Sequence, residues 1–389
     1  MTEPAPPPPI PAARSLFTLD PAMTNLNHGS VGAVPLPVRH AHQRITDELE
    51  ADPRGFFKQR VARVTAARAA ACEFLDLPLH TTALVKNIAT GTAQVLKNLD
   101  LAAGDEVITT DHGYGSVGFN VDAYARHDGV VHKVAPVPLN PTETDLIDAV
   151  DALITDRTRL VICDHITSAT ARLFPVAALS RRLRERGVPL LVDAAHAPGH
   201  VTPDVAAIGA DFWIGNLHKW LFAPRGTAVL SVSEEWAPRM RPLMESWEHE
   251  SGFPVSTEFN GTDDFTGWLA STAAIGLMRD LGPRRVREHN SRLAQYGQAV
   301  LAKALGVGID DPEPSPLGMR LVRLPEGMGT TQAHTDRIEN AIRAELSTEL
   351  AVCCFNGVGV MRVAAQIYNA PADYERLAER LPGFLETLR

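Results

Sequence analysis

Apolar positions along the chain change period several times. In residues 37–50 and again in 56–75 they return at helical spacing, so two helices are expected, each with one buried face. Leu84-Val85 reads as a short strand. A turn of small residues, Asn87-Ile88-Ala89-Thr90-Gly91-Thr92, follows and feeds a helix through Gln94-Val95-Leu96-Lys97. Beyond it the pattern alternates: strands at 106–110, 130–134, 158–163 and 189–192, with helices at 117–126, 143–153 and 176–186. Another strand is expected at 226–232, and a helix from near Gly267. These strands are apolar throughout rather than at every second residue. That implies a mostly parallel sheet covered by helices on both faces, an α/β architecture.

The pattern changes near Pro283. A long amphipathic helix (285–304) precedes a strand, a helix, a strand-turn-strand and a last helix, which reads as a smaller α+β domain. Asn356-Gly357 is a tight-turn signal inside the hairpin 351–363. The expected organisation is a flexible Pro-rich arm at 1–24, a large domain at 25–282 whose N-terminal segment packs on the small domain, and the small domain at 283–389.

Composition narrows the function. The net charge of −9 argues against a nucleic-acid surface. No apolar run reaches membrane-span length. The start, Met1-Thr2-Glu3-Pro4 leading into Pro6 to Pro9, lacks the basic and apolar regions of a signal peptide. Four cysteines (Cys72, Cys163, Cys353, Cys354) are too few for a disulfide framework, so reduced thiols and a cytoplasmic location are expected.

Candidate chemistry gathers where such a sheet binds ligands, beyond the carboxyl ends of its strands. Three loops carry titratable groups there: Asp111-His112-Gly113-Tyr114, Asp164-His165-Ile166-Thr167-Ser168 and Asp193-Ala194-Ala195-His196. Asp193 ends an apolar strand, where a carboxylate needs a partner; a pyridinium N–H would serve, and a turn cap is the plainer alternative. His112, Tyr114 and His196 could pack on a flat ring. A zinc site at His196 and His200 is a poor fit, because Pro198 and Gly199 break any helix between them. The stretch Phe212-Trp213-Ile214-Gly215-Asn216-Leu217-His218-Lys219-Trp220-Leu221 places one lysine among apolar and aromatic residues. Such a lysine tends to lose its proton and become a nucleophile toward carbonyls, the aldehyde of pyridoxal 5′-phosphate (PLP) above all. The turn at Ala89-Thr90 could bind phosphate through helix N–H groups, and Gly261-Thr262 is a second such turn. Arg362 sits mid-strand and is expected to be half-buried, holding a substrate carboxylate or an internal ion pair. Asn27-His28 lies in a glycine-punctuated turn that backbone or ligand can approach closely. Cys353 and Cys354 read as core residues of a strand.

Taken together, Leu26-Asn27-His28-Gly29-Ser30, Asn87-Ile88-Ala89-Thr90-Gly91, the three loops, Gly215 to Gly226, Gly261-Thr262, Arg362-Val363 and Tyr368-Asn369 resemble the PLP enzymes of fold type I, aminotransferase class V. Within that class the chain is most similar to the isopenicillin N epimerase-like branch. The resemblance implies a seven-stranded-type large-domain sheet and a homodimer with active sites at the interface. It implies Lys219 as Schiff-base lysine, Asp193 as pyridinium partner, and Ala89, Thr90 and His218 at the phosphate. Thr167 and His196 join the cofactor set. Gly261 and Thr262 would reach the phosphate of the neighbouring subunit. Arg362, with Asn27 and His28, would bind an amino-acid substrate. His112 or Tyr114 would cover the ring, and Tyr114 could donate a proton. The expected reaction is C–S β-elimination from a cysteine S-conjugate, in specialised metabolism. The alternatives are epimerisation, transamination or decarboxylation.

Overall fold

The computed structural model describes residues 4–389. Its strands, in chain order, are β1 (Thr24–Asn25), β2 (Thr82–Val85), β3 (Glu106–Thr110), β4 (Val131–Ala135), β5 (Thr158–Asp164) and β6 (Leu190–Asp193). They continue with β7 (Phe212–Asn216), β8 (Ala228–Val232), β9 (Met319–Arg323), β10 (Thr348–Glu349), β11 (Ala351–Phe355) and β12 (Val358–Ala364).

The chain divides into two units. The larger holds residues 37–168 and 173–278. Its sheet has seven strands in the order β2-β8-β7-β6-β5-β3-β4. The strands from β7 to β4 run parallel, and β8 is antiparallel to both its neighbours. Strands β2, β3, β5, β6, β7 and β8 are buried almost throughout, which explains their unbroken apolar runs. Only β4, at the edge, is partly exposed. Val107, Leu160, Leu191, Phe212 and Leu230 fill one side of this sheet with Val95, Val117 and Val121 from flanking helices. Gly91 permits one close approach. A Cβ there would lie 2.8 Å from Ile214 Cδ1, so the helix Ile88–Lys97 can press onto β7 only because position 91 has no side chain.

Two local readings change. The helix expected over 56–75 is broken at Gln59 into Pro53–Lys58 and Arg60–Leu75; the Asp52 side chain caps the first piece through Gly55 N–H. The start of the lysine stretch is itself a strand, β7. Its run of bulky residues is that of a central strand.

The smaller unit comprises residues up to Leu36, Ala169–Arg172 and Arg279–Arg389. Its three-stranded antiparallel sheet has the order β11-β12-β9, and β1 pairs with β10 in parallel. Asn356 and Gly357 both take positive φ, 49° and 78°, and close the β11–β12 hairpin where the sequence predicts it. Leu293, Leu301, Val322, Ile338, Val363, Tyr374 and Leu381 form this unit's core. The arm expected to be loose is laid down from residue 4 onward. Ile10, Ala13 and Phe17 are buried, Phe17 meets Tyr368 edge-on at 4.9 Å, and Pro8 O lies 3.2 Å from His289 Nδ1. Apolar residues interleaved with the prolines account for the docking. No helix among the described residues is long and apolar enough to cross a membrane.

Candidate active site

The carboxyl ends of β5, β6 and β7 place three groups of the larger unit side by side. Asp193 closes β6 with its neighbours in register, Asp164 on β5 and Ile214 on β7. It is 3% exposed, and its Oδ1 accepts the Ala195 N–H at 2.9 Å. Burial raises its pKa, while that N–H, the Lys219 charge and a hydrogen bond from Asp164 pull the other way.

Lys219 follows β7 in a loop closed by backbone bonds from Leu217 and His218 N–H to Thr227 O and from Ala223 N–H to Leu217 O. Phe222 in this loop holds φ at 67°, a left-handed conformation costing a bulky residue on the order of 1–3 kcal/mol. Lys219 is 8% exposed, and its Nζ lies 3.0 Å from His196 Nε2. His196 Nδ1 accepts the indole N–H of Trp220 at 3.2 Å. An indole only donates, so in a neutral imidazole the proton sits on Nε2 and points at Nζ. In that tautomer a neutral Nζ can accept the His196 N–H, so the contact favours the unprotonated amine. His200 stacks on Trp220 at 3.8 Å, and its Nδ1 lies 3.1 Å from His196 O. Gly199 makes the packing possible, since a Cβ there would lie 2.5 Å from Trp220 O.

The ring-covering candidates differ in setting. His112 is buried, its Nε2 within 3.1 Å of Val137 O and 3.2 Å of Pro138 O, its ring edge-on to Phe174. Tyr114 is 43% exposed and carries Lys219 Nζ 5.9 Å from its ring centre. Thr167 is fully buried beyond the end of β5.

The helix Ile88–Lys97 presents backbone donors at its start. Its first-turn donors are the N–H groups of Ile88, Ala89 and Thr90. Asn216 Oδ1 takes that of Ile88 at 3.1 Å and Asn87 Oδ1 that of Thr90 at 2.9 Å. Ala89 is the donor these two side chains leave over. His218 Nδ1–H bonds Thr227 O at 3.0 Å, and burial above all lowers the pKa of His218 to about 4.

Gly261 and Thr262 also belong to the larger unit. They line a surface hollow of about 600 Å³ with Arg54, Phe57, Lys58 and Trp247. Asp263 beside them pairs with Lys86 at 2.8 Å.

In the smaller unit Arg362 is 5% exposed, fully rather than half buried, and its Nη2 donates to Asn27 Oδ1 at 2.8 Å. Arg362 lies on β12, the central strand of the three-stranded sheet, where every residue after the first is buried, which explains the deeper burial. Burial lowers the arginine's pKa. His28 Nδ1 lies 3.1 Å from Tyr368 Oη. His28 begins the short helix His28–Val31, where the sequence suggests only a turn. Cys353 and Cys354 are half-buried on β11 rather than core residues, because their strand lies at the edge of a three-stranded sheet.

The chain from residue 52 to residue 341 matches the family model for aminotransferase class-V. The chain belongs to aminotransferase class V. Class V enzymes use PLP, and the buried carboxylate Asp193, the accepting amine of Lys219 and the open helix end at Ala89 fit that group. Among class V relatives, the isopenicillin N epimerase of Amycolatopsis lactamdurans is 31% identical over 95% of this chain and 97% of its own. An L-cysteine desulfhydrase of Arabidopsis thaliana is 27% identical over 92% and 87%. Among solved structures, C-DES with glycine covalently linked to its PLP cofactor superposes with a TM-score of 0.83 at 20% identity, covering 95% of this chain and 98% of that one. The cystine C–S lyase C-DES with its product cysteine persulfide gives 0.79 at 20% identity, over 92% and 97%. These likenesses place the fold among the fold-type-I PLP enzymes.

The sequence marks Asp164 only as a titratable group of its loop and gives it no role. Asp164 sits directly beside Asp193 in register, and its signal is a carboxylate ending an apolar strand, the same signal that singles out Asp193.

Proposed function

We propose that this class V enzyme is a C–S lyase acting on a cysteine S-conjugate. When bound, PLP supplies the electron sink that makes the α-proton of an amino acid removable. Lys219 takes that proton. Asp193 pairs with the ring nitrogen, while the Ala89 N–H, Thr90 and His218 hold the phosphate. Thr167 and His196 support the ring and the lysine. His112 or Tyr114 would cover the ring, and Tyr114 hands a proton to the departing sulfur. Arg362, Asn27 and His28 bind the substrate carboxylate. Gly261 and Thr262 complete the site of a second subunit in a homodimer. The thiolate leaves with the C–S electron pair and is protonated to a thiol. The 2-aminoacrylate, once released, adds water and yields pyruvate and ammonia.

The observation that carries this reading is the pairing of Lys219 and Tyr114, with Nζ 5.9 Å from the phenol ring. Elimination removes a proton from one carbon and protonates a leaving group on the next, so an acid beside the base is the useful arrangement. Sulfur transfer to the protein, the desulfurase outcome, is disfavoured. Burial raises the pKa of the Cys353 thiol, and both neighbouring cysteines lie in a strand rather than on a loop. A second reading, epimerisation, draws support from the epimerase relative at 31% identity. It needs a proton returned to the opposite face of Cα.

The test is holoenzyme in heavy water with a panel of cysteine S-conjugates and simple amino acids. Pyruvate appearing with an equivalent of thiol is expected. Deuterium at Cα with inverted configuration and no pyruvate would establish the epimerase instead.

A further inference from the structure

Two carboxylates at the sheet edge hold one another. Asp164 ends β5 and Asp193 ends β6, and they are register partners on adjacent parallel strands. Side chains at paired positions point to the same face, so the carboxyls meet. Both are buried, at 4% and 3% exposure. Two like charges so close and so dry cannot both persist. The hydrogen bonds decide which of them keeps the proton. Asp193 Oδ1 is satisfied by the Ala195 N–H, whereas Asp164 Oδ2 is buried with no hydrogen-bond partner among the described residues. An ionised carboxylate with a dry, unbonded oxygen is costly, and a neutral acid much less so.

We infer that Asp164 is a positioning residue that keeps its proton and donates it as a hydrogen bond to Asp193, so the pair carries a single negative charge held on the carboxylate that meets the cofactor ring. Its pKa is raised well above the usual carboxylate value, chiefly by burial and then by the Asp193 charge, in keeping with the geometry. The other titratable groups around the pair are Cys163 on β5, His165 next to Asp164 in the chain, Lys219 with its neighbour His196, and Tyr114, His132 and Asp122. Tyr114 and His132 line a hollow of about 190 Å³ with Asp164. Of these, only Lys219, when charged, draws Asp164 toward ionisation. The hydrogen bond from Asp164 lowers the proton affinity of Asp193 and fixes its orientation. The bond thus offsets part of the rise that burial imposes on Asp193, and the ring nitrogen meets an oriented anion. The inference rests on the assignment of Asp193 to the ring, which the experiment tests separately.

The first measurement is the infrared spectrum of the full-length protein at pH 7, with and without PLP, natural-abundance against protein labelled at the aspartate side-chain carbon. A label-sensitive band of a protonated carboxylic acid is expected in wild type and absent in Asp164→Asn. No such band in wild type overturns the inference, whatever the variants do. The second measurement is PLP affinity. Asn can still donate to Asp193 and Leu cannot, so Asp164→Asn should bind PLP within about twofold of wild type and Asp164→Leu about tenfold more weakly. Equal affinities in the two variants would remove the role of the hydrogen bond. Asp193→Asn serves as the control: unchanged PLP affinity there would sink the ring assignment while leaving the infrared result standing.

Discussion

The chain buries two basic side chains of functional promise, and it treats them in opposite ways. Lys219, in the larger unit, is surrounded by groups that exchange protons. His196 touches its amine, and Asp193 and Asp164 lie close enough to feel its charge and to act on each other. Arg362, in the smaller unit, meets the amide oxygen of Asn27, a partner that cannot titrate. A lysine amine can be made neutral by its surroundings, whereas a guanidinium keeps its charge. The first setting suits a base that gains and loses a proton each turnover. The second suits a fixed positive charge that binds a carboxylate, with the Asn27 amide helping to orient the guanidinium.

The largest expected effect breaks the first cluster. Lys219→Ala should lower turnover on the order of ten-thousandfold or more and abolish covalent attachment of PLP, read by borohydride reduction and mass spectrometry. Covalent PLP persisting in the variant would mean another lysine carries it. Next comes the fixed charge. Arg362→Gln should raise KM for an amino-acid substrate about ten- to a hundredfold with a smaller change in kcat. Arg362→Lys should recover little, since a point charge does not reproduce the planar fork. Full recovery by lysine would show that charge alone matters. Asp193→Asn should weaken PLP binding by about tenfold, read by fluorescence titration, and leave substrate-analogue binding to Arg362 unaffected.

The two clusters were unequally legible in the sequence. Asp193 stands out because it ends the apolar run of a buried parallel strand, and Lys219 because it is the one lysine in an apolar and aromatic stretch. The ordering of strands and helices followed from the same runs, and the β11–β12 hairpin from Asn356-Gly357. Three things were hidden. β7 merges with the lysine loop because a buried strand and the apolar loop after it share one composition. The docking of the arm depends on Ile10, Ala13 and Phe17, too few and too irregularly spaced to announce a packed face. Asp164 acquires meaning only through its register with Asp193, and the pairing of strands is a tertiary fact. Burial depth was the other limit. Period-2 patterning gives the face on which Arg362 lies, but the thickness of the layer over it depends on neighbouring elements.

The smallest effect concerns His165, which follows Asp164 at the end of β5. Burial alone lowers the pKa of His165 to about 4 from an ordinary 6.5. Below pH 6.5 the unfolded chain takes a proton that the folded chain refuses, so stability falls as pH drops from 6.5 toward 4. Between pH 7.5 and 5.5 this histidine should cost about 1 kcal/mol. Total stability would not reveal it. Glu258, buried against Arg68, has its pKa raised to about 7, and its contribution runs the other way across the same window: the folded chain keeps a proton that the unfolded chain has lost, and stability is gained as pH falls. His218, lowered like His165, adds to the loss. The useful quantity is therefore a difference of differences. Urea unfolding of the apo protein at pH 7.5 and 5.5 should show His165→Gln losing about 1 kcal/mol less than wild type over the interval, with Glu258 and His218 cancelling from the comparison. The same treatment of Arg362→Gln should leave the pH dependence of wild type unchanged, because a charge that does not titrate contributes no slope. A change of slope in Arg362→Gln, or none in His165→Gln, would undo the division between a proton-exchanging cluster and a fixed one.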